Sequence, residues 1–190
     1  MIHIIGDSHA LTFQTAKDVE VHWMGAATAM NIWKKHRLIE EILKKAPQDK
    51  YWFCLGEIDC RIHIYNKAME TGVPEYLLVT NSVQTYVSYI AFLKRTYDVG
   101  IMVVPPQGLQ DNYFGYPFYA DRKHRQEITD TFNTWLSVTC WDNRIPLMDI
   151  WYNTVELYRP LFDSRNFEED KCHIKKTIAK ARLEKYLESR

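Results

Sequence analysis

Apolar positions along the chain follow two alternating rhythms. Short runs rich in β-branched and aromatic residues, Met1 to Ile5, Val19 to Met24, Lys50 to Leu55, Val99 to Val104 and Ile145 to Ile150, predict five strands. Between them the spacing becomes helical. From Asn31 to Lys45, Ile32, Leu38, Ile39, Ile42 and Leu43 recur among Lys and Glu until Pro47 stops the pattern. Ser82 to Tyr97 sets Val83, Val87, Ile90 and Leu93 on one face, and Asp121 to Trp141 does so with Ile128, Phe132, Trp135 and Leu136. A last helix is predicted from His173 to Leu187, carrying Ile178, Ala181 and Leu187. Strands alternating with helices build an α/β fold in which helices cover both faces of a parallel sheet. With no repeat, low-complexity tract or linker, residues 1–190 are expected to form a single domain.

Composition narrows the function classes. Lys plus Arg and Asp plus Glu are each 24, so the chain offers no strongly basic surface, and nucleic acid is not an expected partner. No run of about 18 apolar residues predicts a membrane helix, and the first residues lack a basic start and long apolar stretch, so a soluble, cytoplasmic chain is expected. Cys54, Cys60, Cys140 and Cys172 form no CxxC pair, which suits reduced structural thiols. His22, His36, His63 and His124 show no ligand pairing along the chain, and no metal is expected.

In an open parallel sheet, functional groups collect just beyond the carboxyl ends of the strands. The five strings found there are GDSH, GAAT, GEIDCR, PPQG and WYN, and EEDKCH at 168–173 precedes the last predicted helix. Read singly, each has an ordinary use. Ser8 could cap a helix, and Asp170 could favour a helix N-terminus electrostatically. Taken together, GDSH after the first strand and DKCH near the C-terminus resemble the SGNH hydrolases, the GDSL esterases and lipases. The resemblance spans nearly the whole chain. It implies a flavodoxin-like three-layer α/β/α sandwich with a five-stranded parallel sheet. It also implies a catalytic triad of Ser8, Asp170 and His173, with Gly25 of HWMGAAT as the glycine after the second strand. GEIDCR looks like the third block of a bacterial subgroup associated with polysaccharide biosynthesis.

The chemistry requires such a set independently of the family. A serine hydroxyl is a weak nucleophile until a base takes its proton, and an imidazole titrating near ~6.5 can accept and return one. Asp170 would hold the imidazole tautomer and stabilise its charged form. The Ser8 and Gly25 backbone N–H groups would meet the developing oxyanion. No cofactor is needed for these steps. The third block departs from the family's GxND, because Ile58 stands where an asparagine would donate. Arg61, with a fixed fork of donors, is the candidate substitute for that oxyanion contact, and pairing with Glu57 or Asp59 is its ordinary alternative.

Two aromatic loops, 105–125 and 151–170, should rim the site. Tyr113, Phe114, Tyr116, Phe118 and Tyr119 fall in the first, and Trp151, Tyr152, Tyr158 and Phe162 in the second. Flat rings with polar tips suit carbohydrate faces, and equally aryl or acyl groups and protein interfaces. Glu57, Asp59, Tyr113, Tyr116 and Trp151 are the candidate substrate contacts. The expected function is a serine esterase acting through an acyl-enzyme on a small ester, an O-acetylated carbohydrate above others. A sugar O-acyltransferase with the same triad and a noncatalytic binding module that keeps the fold are the alternatives. A mononucleotide binder is disfavoured, since GDSH is not a glycine-rich phosphate cradle.

Overall fold

The structure, a computed structural model, describes residues 1–109, 119–151, 168 and 172–189. Its strands are β1 (Ile2–Gly6), β2 (Val19–Trp23), β3 (Lys50–Cys54), β4 (Asp98–Met102) and β5 (Leu147–Met148). They form one sheet in the order β2-β1-β3-β4-β5, with all neighbours parallel. This is the flavodoxin-like strand order.

Alternation along the strands sorts side chains to two faces, because successive residues point to opposite sides of a sheet. Ile5, Tyr51, Phe53, Val99 and Ile101 face one way. They pack under α1 (His36–Lys45), α2 (Ile64–Thr71), α3 (Glu75–Leu93) and α4 (Arg122–Asp142). Ile4, Trp52, Cys54, Met102 and Met148 face the other way. There they meet the 3₁₀ turn Ser8–Phe13 through Ala10 and Phe13, and α5 (Lys176–Glu188) through Ala179 and Leu183. The result is a three-layer α/β/α sandwich. β3 and β4 are buried on both faces, which is why they read as apolar runs.

The five predicted strands are present with shifted ends. The fifth shrinks from 145–150 to Leu147–Met148, because the Ile145 amide is drawn back to the α4 carbonyl of Cys140 and Pro146 has no N–H to give. The helix predicted from Ser82 begins at Glu75, directly after Pro74, where the exposed Tyr76 and Leu77 blur the apolar stripe. The segment 31–45 splits into a 3₁₀ turn, Ile32–Lys35, and α1. The last helix starts at Lys176 instead of His173. The helix α2 and the π-helical turn Asp59–His63 that leads into it were not predicted.

The loop after β4 is fastened at its base by α4. Asn133 exchanges both hydrogen bonds with the Val104 main chain, at 3.0 Å each, and so extends the strand's pairing past its end. The Gln107 amide donates to Gln126, and its side chain donates to Thr129, both at 2.9 Å. The fully buried Arg125 donates to the carbonyls of Gly108 and Ala120, which pins the two ends of segment 109–119 together. Charge-assisted bonds of this kind are roughly twice as strong as neutral ones.

β1 approaches β3 so closely at its end that Gly6 has no room for a side chain: a Cβ there would overlap the Cys54 carbonyl oxygen. That atom is backbone and cannot rotate away. Gly6→Ala is therefore expected to cost about 3 kcal/mol and to lower the melting temperature by roughly 6–12 °C. Thermal unfolding at wild-type stability would show that the strands part freely.

Candidate active site

Ser8 stands just past the carboxyl end of β1. Asp7 is the helix cap: its Oδ1 accepts from the His9 amide at 2.8 Å, and its carbonyl accepts from the Ala10 amide at 3.1 Å. Ser8 is thereby the first residue of the 3₁₀ turn and not its cap, which leaves its hydroxyl for other work. That hydroxyl lies 2.9 Å from Nε2 of His173 across 165 positions of sequence. The distance suits proton transfer from Oγ to the imidazole.

His173 sits in a turn held by Glu168. The Glu168 amide donates to the His173 carbonyl at 2.8 Å, and its carboxylate accepts from the Lys176 amide at 3.1 Å, which caps α5. An electrostatic role at this helix N-terminus was the ordinary use expected of Asp170. Asp170 itself, the predicted third triad member, lies outside the described residues, as do Tyr113 and Tyr116. An open cavity of about 210 Å³ in front of Ser8 is lined by Leu11, Thr12, Gln14, Glu168, His173 and Lys176.

Gly25 follows β2 beside this edge, where the Met24 amide donates to the Gly6 carbonyl at 2.8 Å. Gly25 has φ +70°, a left-handed conformation that favours glycine, while nothing lies within 4 Å of where its Cβ would be. Backbone conformation, and not close approach, is what calls for glycine there.

The third block builds a buried ionic network behind the serine. Arg61 donates through Nε to Glu57 Oε1 at 2.8 Å, the ordinary alternative to an oxyanion contact, and both side chains are almost fully buried. Glu57 Oε2 and Asp7 Oδ1 each lie 3.5 Å from Nδ1 of His9. The His9 ring packs against His173 with centroids 4.5 Å apart. Burial opposes a charge on His9, but Glu57, Asp7 and a hydrogen bond with Cys172 outweigh it and hold the imidazole well above its ordinary value. Burial likewise works against the Arg61 charge, and Glu57 foremost reverses the effect. A chain of contacts thus runs from Ser8 through His173, His9 and Glu57 to Arg61. His9, in this chain, and Glu168, which holds the His173 turn, are the site residues that sequence reasoning missed. Their signal lay in plain view, as the residue after Ser8 and the first residue of EEDKCH.

The remaining candidates have structural partners. Asp59 is fully buried and accepts from the Ala29 amide at 2.7 Å and the Met30 amide at 3.2 Å, tying the loop after β2 to the third block. It grips its own chain where a substrate contact was expected. Trp151 is buried in the second core beside Phe13, 6.0 Å between centroids, with the Arg182 guanidinium over its ring. Ile58 is buried and apolar, as its identity requires.

The fold is that of the SGNH hydrolases. No protein-family model and no curated sequence matches the chain. Among solved structures it is similar to an acetylxylan esterase from Geobacillus stearothermophilus at 12% identity, covering 98% of this chain and 93% of that one, TM-score 0.61. It is also similar to the acetyl xylan esterase AlAXEase, at 12% identity, 100% and 98% coverage and TM-score 0.58. A lipase/acylhydrolase from Enterococcus faecalis matches at 15% identity, 100% and 97% coverage and TM-score 0.59.

Burial pushes the Asp59 carboxyl up from 3.8 to about 7, against the opposing pull of the Ala29 and Met30 amides. The unfolded chain then loses this proton first as pH rises, so Asp59 lowers stability progressively between about pH 4 and pH 7, by at most about 4 kcal/mol. In Asp59→Asn the side chain cannot ionise, and it keeps an acceptor for only one amide. The variant is expected to be less stable at pH 4, with the gap narrowing towards pH 7 in urea titrations. Parallel stability curves would refute the assignment.

Proposed function

We propose that this chain is a serine esterase of the SGNH type, acting on a small ester through a covalent acyl-enzyme, with O-acetylated carbohydrate as the favoured substrate class. The observation that carries this reading is the 2.9 Å contact between Ser8 Oγ and His173 Nε2, at an open cavity on the carboxyl edge of the sheet. The similar Geobacillus enzyme supports it, since two structures of its catalytic mutants carry alanine in place of an aspartate and of a serine.

In the proposed reaction Ser8 Oγ attacks the ester carbonyl carbon while its proton passes to His173 Nε2. The tetrahedral intermediate collapses, and the alcohol departs with that proton. Water then attacks the acyl-serine, again deprotonated by His173, and releases the acid with free Ser8. Asp170 is assigned to the far side of the imidazole. The Ser8 and Gly25 amides are assigned to the oxyanion. Arg61 contributes positive charge through the buried network and, having committed Nε to Glu57, is a weaker substitute for an asparagine donor. One missing donor costs on the order of 10² to 10³ in rate, so a modest esterase is expected. A sugar hydroxyl in place of water would make the same machinery an acyltransferase.

A second reading, a noncatalytic module, draws on Ile58. A fluorophosphonate separates the two. Wild type should gain one adduct, located by mass on Ser8, and Ser8→Ala should gain none. An adduct that persists in Ser8→Ala would sink the nucleophile assignment, and an unlabelled wild type would favour the module. Acetate release from acetylated xylo-oligosaccharides is expected to fall by roughly 10³-fold or more in His173→Ala.

A further inference from the structure

At the edge of the sheet, away from Ser8, β1, β2 and the turn before β3 bring together two imidazoles and two carboxylates. In the parallel register His3 is paired with Glu20, and His22 lies two residues further along β2, so all three side chains emerge on one face. His3 Nδ1 lies 2.9 Å from His22 Nε2 and 3.6 Å from Glu20 Oε2, and His22 Nε2 lies 3.7 Å from Glu20 Oε1. One ligand atom from each residue falls within 4.8 Å of the other two. His22 was expected to have no ligand partner, because its partner lies nineteen positions away on a neighbouring strand.

We propose that His3, Glu20 and His22 form a binding site for a divalent transition-metal ion of the zinc type. Two imidazoles and a carboxylate are a donor set that Zn²⁺ accepts, with bonds of about 2.0–2.1 Å and a fourth position left for water. Tetrahedral bonds of that length separate ligand atoms by roughly 3.3–3.4 Å. The two ring nitrogens are 2.9 Å apart and each faces its own Glu20 oxygen at 3.6 or 3.7 Å, so a small separation of the rings and a turn of the exposed Glu20 carboxylate seat the ion.

Outer contacts orient the ligands before any ion arrives. His3 Nε2 is 2.9 Å from Asp49 Oδ2, and that carboxylate holds the proton on Nε2, turning the Nδ1 lone pair towards His22 and Glu20. The His3 ring also lies 19° from parallel to Tyr51 at 4.6 Å, and Tyr51 is fixed by its own bond to the Ala46 carbonyl at 2.9 Å. A histidine braced by a carboxylate on its far nitrogen is the usual arrangement at zinc. Entry is open from the Glu20 side, since that side chain is 55% exposed against 6% for His3. The bound ion would clamp the edge strand β2 to β1 and to the Asp49 turn, a structural task separate from ester cleavage.

The test is Zn²⁺ titration of the chelator-stripped full chain against a competing chromogenic chelator, with a thermal melt of each sample. One tight equivalent is expected, together with a rise of roughly 5–10 °C in melting temperature when free Zn²⁺ is about 100 times the dissociation constant. Glu20→Gln and His22→Ala should each weaken binding at least tenfold, and Asp49→Asn by about 10- to 100-fold. Cys172→Ala probes the other described trio of suitable donors, His9, Cys172 and His173, and should leave the tight equivalent in place. Binding that survives both Glu20→Gln and His22→Ala, or that is lost in Cys172→Ala instead, would overturn the proposal. If His22→Ala does not fold, the exposed Glu20→Gln decides alone.

Discussion

The pairing of β1 on both sides is the constraint from which the site follows. Gly6 is in register with Trp23 on one neighbour and Cys54 on the other, so three strands end at one level. The next main-chain bonds, Met24 to Gly6 and Asp7 to Cys54, knit the three exits together. Whatever follows each strand is therefore delivered to one place: Ser8 after β1, Gly25 after β2, Glu57 after β3. Glycine at position 6 makes this close convergence possible, since any side chain there would push β1 from β3. The serine is fixed by main-chain geometry, and only its partner must come from afar.

Behind that edge the protein accepts an unusual electrostatic arrangement. Asp7, Glu57 and Asp59, in the segments that follow β1 and β3, are all buried. Carboxylates leave water only when paired or hydrogen-bonded, and each of these has a distinct solution. Asp7 caps the 3₁₀ turn, Asp59 binds two amides, and Glu57 lies between Arg61 and His9. The π-helical turn Asp59–His63 widens the chain where Arg61 must fold back to Glu57, and such turns recur at functional sites. The third block thus acts as a charged foundation, a different task from the donor role that an asparagine at position 58 would have served.

The aromatic residues show how composition and placement diverge. Trp151 has the character of a carbohydrate platform, yet it fills a gap beneath Arg182 and beside Phe13. Nothing in its local sequence separates the two uses, because amphipathic rings satisfy core and ligand alike. Asp59 teaches the same lesson for charge. A buried carboxylate and a substrate contact look identical in the string GEIDCR.

Hydrophobic periodicity by itself determined the α/β alternation, the five strands and most helices, since a strand buried on both faces and an amphipathic helix leave different rhythms. It also placed Ser8 at a strand end, because GDSH interrupts an apolar run. Local pattern could not find α2 or the π-helical turn, where Asp59 and Arg61 read as groups facing a substrate but are buried among their own partners. Nor could it bring His173 to Ser8, His9 to Glu57 or His22 to His3. Those contacts join residues 165, 48 and 19 positions apart, and only strand order and register bring them together. Sequence fixes which groups are available, and the tertiary structure decides which of them share a hydrogen bond.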